Sequence, residues 1–104
     1  MAPAKEPKGP TLVEVEFEVE GDVHGVSFTK YAKDMCRNLG LTGWIRLSRW
    51  GTIVGQLQGE TYNVNQMTTW LQKHGSPGSR IKKCDLRNWQ VIDSCTYRNF
   101  SVRF

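Results

Sequence analysis

The residues best suited to chemistry in this chain stand in a short turn, Gly21-Asp22-Val23-His24-Gly25-Val26. Glycine reaches backbone angles closed to other residues, and its bare Cα lets a ligand come close to the main chain. A turn of this kind, set just before a helix, can aim several backbone N–H groups at one point and so hold an anion. Many glycine-bearing turns bind nothing, so the spacing by itself marks a candidate only. His24 places an imidazole inside the turn, where a solvated loop histidine is the default reading. Glu14, Glu16, Glu18 and Glu20 resemble paired catalytic carboxylates in type alone, because their spacing of two puts all four on one open strand face with no obvious cleft. They read as a solvated sheet face. Cys36, Cys84 and Cys95 are an odd number at wide spacing, neither a disulfide framework nor a C-x-x-C metal site. They read as reduced thiols of a cytoplasmic chain, with no metal site expected.

The elements that must position the turn follow from periodicity. Three of the four prolines fall within Met1–Pro10, which reads as a flexible leader (1–10) ahead of one domain (11–104). Val13, Val15, Phe17 and Val19 alternate with the glutamates and predict a strand. After the turn, Phe28, Tyr31, Ala32, Met35, Cys36 and Leu39 recur at helical spacing and predict a helix from Ser27 to about Leu39. Ser27 is a candidate cap, and Gly40 suits the C-terminal stop. Thr42–Ser48 and Thr52–Gln58 read as a hairpin turning at Gly51. A second helix is expected from about Asn63 to His74, buried through Val64, Met67, Trp70 and Leu71. Gly75-Ser76-Pro77-Gly78-Ser79 is a loop, and strands near Ile81–Ile92 and Tyr97–Phe104 close the chain. The fold class is therefore α+β, a ferredoxin-like βαββαβ sandwich: an antiparallel sheet with two helices on one face.

The bulk properties agree with a single folded domain. The 104 residues are 38% hydrophobic and include four Trp, three Tyr and four Phe, enough to build a core and to exclude a disordered chain. No apolar run approaches the length of a membrane span, and the N-terminus lacks the apolar stretch of a secretory signal. The charge is uneven. Residues 1–22 carry two lysines against six carboxylates, whereas residues 23–104 carry 12 basic groups against four, a net +8. An anionic partner is the natural expectation.

Several blocks in order bear on what that partner is. Gly21-Asp22-Val23-His24-Gly25-Val26-Ser27-Phe28-Thr29 resembles the acylphosphatase signature G-x-V-Q-G-V-x-F-R. Gly40-Leu41-Thr42-Gly43-Trp44-Ile45 resembles that family's G-L-x-G-W-V. Gly51-Thr52-Ile53-Val54-Gly55 through Gly59 is similar to its hairpin. Trp70-Leu71 with Gly75-Ser76-Pro77, and Tyr97, Phe100 and Val102, match its later segments. The resemblance covers residues 11–104. It implies hydrolysis of acyl phosphates to carboxylate and phosphate, without metal or organic cofactor, by a monomer. It also implies that the loop and a signature arginine hold the phosphate while a strand asparagine orients the attacking water.

The departures fall on those chemical groups. Thr29 stands at the arginine position and Leu47 at the asparagine position; His24 replaces the loop glutamine, and Ser27 a bulky apolar residue. Threonine cannot supply a charged bidentate fork, and leucine cannot bond a water. The resemblance with these departures predicts weak or absent hydrolysis, with anion binding kept at Gly21–Phe28. The alternative is an active, rearranged site. His24 lies in the loop, whereas Lys30 should point about 100° from Thr29 on a helix. Arg46 should face the opposite side of the sheet from Leu47, and Arg49 and Trp50 lie in the hairpin turn. Trp44 and Trp70 read as packing residues, and Trp50 as an exposed aromatic. A basic nucleic-acid-binding module is a third reading. It is disfavoured because the aromatic strand motif of RNA-recognition domains is missing and glutamates line the first strand.

Overall fold

The computed structural model describes residues 11–23 and 25–104, apart from the side chains of Gly25 and Val26. The expected leader and His24 lie outside the described residues. The elements are β1 (Leu12–Asp22), α1 (Gly25–Asn38), β2 (Thr42–Leu47), β3 (Ile53–Glu60), α2 (Thr61–Lys73), β4 (Arg80–Ile92) and β5 (Phe100–Arg103). The strands form one sheet in the order β4-β1-β3-β2-β5. This is the ferredoxin-like βαββαβ sandwich with one added edge strand. The sheet is not wholly antiparallel, because β5 runs parallel to β2, with Gly43 opposite Phe100 and Ile45 opposite Val102.

The alternation of β1 decides which face is buried. Val13, Val15, Phe17 and Val19 are all buried, and they join Phe28, Ala32 and Cys36 of α1 and Val64, Met67 and Leu71 of α2 in one core. Both helices therefore lie on the same face. Within α1 the stripe is narrower than its periodicity predicts. Tyr31 is 48% exposed, and Met35 and Leu39 only border the core. The helix also starts at Gly25, two residues before the expected Ser27. Trp70 packs on Phe28, with ring centroids 5.4 Å apart. Trp44 does not pack inward. It lies on the outer face beneath Arg103, whose guanidinium carbon is 4.9 Å from the ring centroid.

The outer face is bonded rather than merely solvated. The Gln58 amide donates to Glu14 at 2.8 Å, Arg87 bonds Glu18 at 2.8 Å, and the Asn88 amide donates to Glu16 at 3.1 Å. Asn88 has φ 56° and sits in a bulge where β4 carries one extra residue against Glu14–Glu16. Asparagine tolerates the left-handed region better than most residues.

The last connection is the most stretched part of the chain. β4 and β5 are the two edges of a five-stranded sheet, so the chain must cross four strand spacings, roughly 19 Å. Eight Cα steps from Ile92 to Phe100 reach about 26 Å at most. Little slack remains, and the closing strand is accordingly shorter than the expected Tyr97–Phe104. Gln58, 1% exposed, holds the crossing segment. Its oxygen accepts from the Thr96 N–H at 2.7 Å, and its amide donates to the Thr96 hydroxyl at 2.9 Å. The Tyr97 hydroxyl donates to Gln56 at 2.7 Å. Gln58→Ala is expected to leave buried polar groups unpaired and to cost about 1–3 kcal/mol. Urea unfolding should show this as a lower midpoint with an unchanged slope.

Candidate active site

Strand directions collect the candidate residues at one pole. β1, β2 and β5 run the same way, and β3 and β4 run opposite. The C-terminal ends of β1, β2 and β5 therefore share a pole with the N-terminal ends of β3, β4 and α1. Asp22, Thr29, Leu47 and Arg80 are all residues of that pole.

The turn begins at Gly21 for a steric reason. Its φ is 146°, and a Cβ there would lie 2.1 Å from the Arg80 carbonyl oxygen and 2.7 Å from the Lys82 nitrogen. Backbone presses on backbone here, at a register shift in the β1·β4 ladder, so only glycine fits. The Val23 N–H then donates to the Gly21 carbonyl at 3.0 Å and bends the chain toward α1. Beside this turn is an open hollow of about 350 Å³, lined among the described residues by Gly21, Asp22, Val23, Gly78 and Arg80. Arg80 is the cation of this hollow. It is exposed, opens β4 and pairs in register with Asp22. Reading the sequence alone missed it. The available signal was its place as the first residue after the Gly75–Ser79 loop, but only the β1·β4 pairing brings it beside Asp22.

The two substituted positions lie apart from that hollow. Thr29 is 6% exposed and opens onto a separate groove between α1 and β5, about 340 Å³, together with Lys30, Lys33, Arg37, Ser101 and Phe104. Lys30 and Thr29 thus share a groove despite their angular separation, because Thr29 sits at its inner wall and the lysine at its rim. Leu47 pairs with Ile53 and alternates onto the core side with Ile45. The sheet end leaves it 54% exposed, while Ile53 and Ile45 are fully buried. Arg46 faces the outer side near Trp44, as the alternation predicts, and Arg49 stacks on the 80% exposed Trp50.

A hydrogen-bonded relay fixes the hairpin that carries Leu47. The Thr52 hydroxyl donates to the Glu18 carboxylate at 2.7 Å. With that proton committed, the Ser48 hydroxyl donates to Thr52, also at 2.7 Å. The Ser48 oxygen in turn accepts the N–H groups of Trp50 and Thr52, each at 3.2 Å. The Thr52 bond, and then Arg87, hold the Glu18 pKa below the ordinary 4.5. The thiols are tuned the other way. Burial pushes Cys36 far up, and burial with the Asp85 charge takes Cys84 to about 11, so neither is a ready nucleophile. Among the described residues, no group of three or more His, Cys, Asp or Glu is placed to hold a metal, and no helix is long and apolar enough to cross a membrane.

The architecture and the glycine-cornered turn define an α+β sandwich whose candidate chemistry lies at one pole. The comparisons with known proteins resolve that class further. Residues 15–102 match the family described as Acylphosphatase. The chain is 43% identical over 94 residues to human acylphosphatase-2, covering 90% of this chain and 95% of that one. It is 44% identical over 90 residues to Xenopus tropicalis acylphosphatase-1, covering 86% and 92%. An acylphosphatase structure from Coxiella burnetii superposes with a TM-score of 0.76 at 28% identity, covering 89% of this chain and 94% of that one. The chain belongs to the acylphosphatase family.

The lowered Glu18 pKa carries a pH signature. A carboxylate depressed in the folded state adds stability above its unfolded pKa and loses it as pH falls through the folded value. Glu18→Gln should therefore melt at a lower temperature than the wild type near neutrality. The gap should close as pH drops from about 5 downward, and thermal melts across that range test it.

Proposed function

We propose that this protein is an acylphosphatase-fold binder of phosphate-type anions whose hydrolysis of acyl phosphates is weak or lost. The reading rests on one observation: at the two positions where the family resemblance places charged and water-orienting groups, the chain has a buried hydroxyl, Thr29, and an apolar side chain, Leu47. In the family reaction, water attacks phosphorus, the bond from phosphorus to the acyl oxygen breaks, and carboxylate and phosphate leave. The transition state needs donors fixed against the phosphoryl oxygens and a water held in line. Threonine offers one neutral hydrogen bond where arginine offers a charged fork. Leucine offers the water nothing. Losing one placed donor alone costs about 10²–10³ in rate. The turn that begins at Gly21, with Arg80 beside it, is the part proposed to hold an anion. The protein is expected to act as a cytoplasmic monomer.

A second reading is a working enzyme with a rearranged site. It is favoured by Arg80 in the hollow beside the turn and by Lys30 in the groove with Thr29. Benzoyl phosphate hydrolysis separates the two. Wild-type turnover is expected at least about 10²-fold below human acylphosphatase-2 assayed alongside, with Thr29→Arg/Leu47→Asn recovering part of the difference. Wild-type turnover equal to that enzyme would overturn the first reading. If that turnover then fell in Arg80→Gln or Lys30→Gln, the rearranged site would stand.

A further inference from the structure

The groove between α1 and β5 has a composition that the family reaction does not explain. Lys30, Lys33 and Arg37 sit at i, i+3 and i+7 along α1, so they share one helix face. The opposite wall is the edge strand β5, which contributes Ser101. No carboxylate side chain lines the groove among the described residues. The nearest acid on the helix, Asp34, lines a neighbouring hollow with Lys30 and Tyr31. None of the three cations has an ion-pair partner among the described residues. Like charges three and four residues apart on a helix repel; Asp34, four residues after Lys30 and three before Arg37, offsets part of that, and Arg37 suits the last turn of the helix. Three cations that line one groove with a hydroxyl, none in an ion pair among the described residues, suit an anionic ligand.

Size and spacing specify the class of ligand. The hollow is about 340 Å³, within the range of small-molecule sites. The three cations spread over roughly 10 Å of helix, more than a single phosphate can bridge. Ser101 adds a hydroxyl donor from the facing strand. Thr29 narrows the inner wall without adding a charge. We infer that this groove binds a compact anion bearing more than one phosphate, held by Lys30, Lys33, Arg37 and Ser101. The site is separate from the hollow at Gly21–Val23 and does not depend on whether hydrolysis survives.

Calorimetric titration of the full chain with inorganic tripolyphosphate tests this. Binding in the groove is expected beside any at the Gly21 turn, weakening as salt rises, with inorganic phosphate held less tightly in the groove. Lys33→Gln/Arg37→Gln should weaken tripolyphosphate binding in the groove by about tenfold or more, whereas Arg80→Gln should remove only what binds at the other hollow. The double variant should keep the wild-type fold by circular dichroism and melt within about 4 °C of it, since it changes only helix-surface side chains. No binding at low salt, equal affinity in the double variant, or loss only in Arg80→Gln would each overturn the proposal. Wild-type amide shifts give an independent reading. Changes at Lys33, Arg37 and Ser101 on adding tripolyphosphate support it, and changes confined to Gly21–Val23 and Arg80 refute it. Phosphatidylcholine vesicles with and without phosphatidylinositol bisphosphate assign the source. Co-sedimentation that the double variant abolishes marks a lipid headgroup, and tripolyphosphate binding without co-sedimentation marks a soluble ligand.

Discussion

One-sided burial of β1 is the constraint from which the rest of the molecule follows. Val13, Val15, Phe17 and Val19 must leave water, and a strand can present them to only one face. Both helices are therefore drawn to that face, and the chain cannot continue straight past the C-terminal end of β1. The chain has to fold back over the sheet as soon as β1 ends, and Gly21 is where it does so. Its backbone meets that of Arg80 and Lys82 too closely for any Cβ. The candidate anion turn is thus also the corner that the packing of β1 requires.

The same constraint creates a polar problem on the other face. Four glutamates project outward from β1, and each would repel its neighbours without partners. For three of them the fold answers with neighbours from β3, β4 and the hairpin turn: Gln58 for Glu14, Asn88 for Glu16, and Thr52 and Arg87 for Glu18. Two of these bonds reach beyond the sheet. Gln58 pins the stretched crossing segment that delivers β5, and Thr52 passes its bond to Ser48 and so shapes the hairpin that ends β2. Both walls of the pole, at Leu47 and at Ser101–Phe104, are placed by the polar face of the central strands.

Much of this was legible in the sequence because it is written in short periods. The alternation of β1, the helical stripes and the glycine stops gave five strands and two helices with small errors at their ends. What stayed hidden depends on pairing between distant residues. The parallel run of β5 beside β2 cannot be read from Phe100–Arg103 alone, since strand direction is set by how the crossing segment is held. Tyr31 matched the apolar period but lies where α1 turns away from the sheet. Trp44 looked like core, yet an even position on β2 belongs to the outer face, where Arg103 covers it. The site shows the same division. Thr29 and Leu47 were named through the resemblance of their segments to the acylphosphatase motifs, while Arg80 became visible only through its register opposite Asp22.

The positive charge of residues 23–104 can now be placed more exactly. A guanidinium at the Thr29 position, 94% of which is shielded from water here, would need an anion beside it to offset the loss of hydration. An enzyme meets that need with its substrate. Threonine removes the need and, with it, the charged fork that the family resemblance places there. Of the cations this chain carries near that position, Lys30 and Arg37 are exposed and Lys33 half-buried, and charge at a surface is cheap to maintain but weak against any single small anion. Surface cations gain grip by number and by matched spacing, so their natural complement is an extended charge rather than one phosphoryl group held in a tight cradle. The basic balance of the sequence therefore says less about chemistry on a phosphate than about which shape of anion the protein can hold.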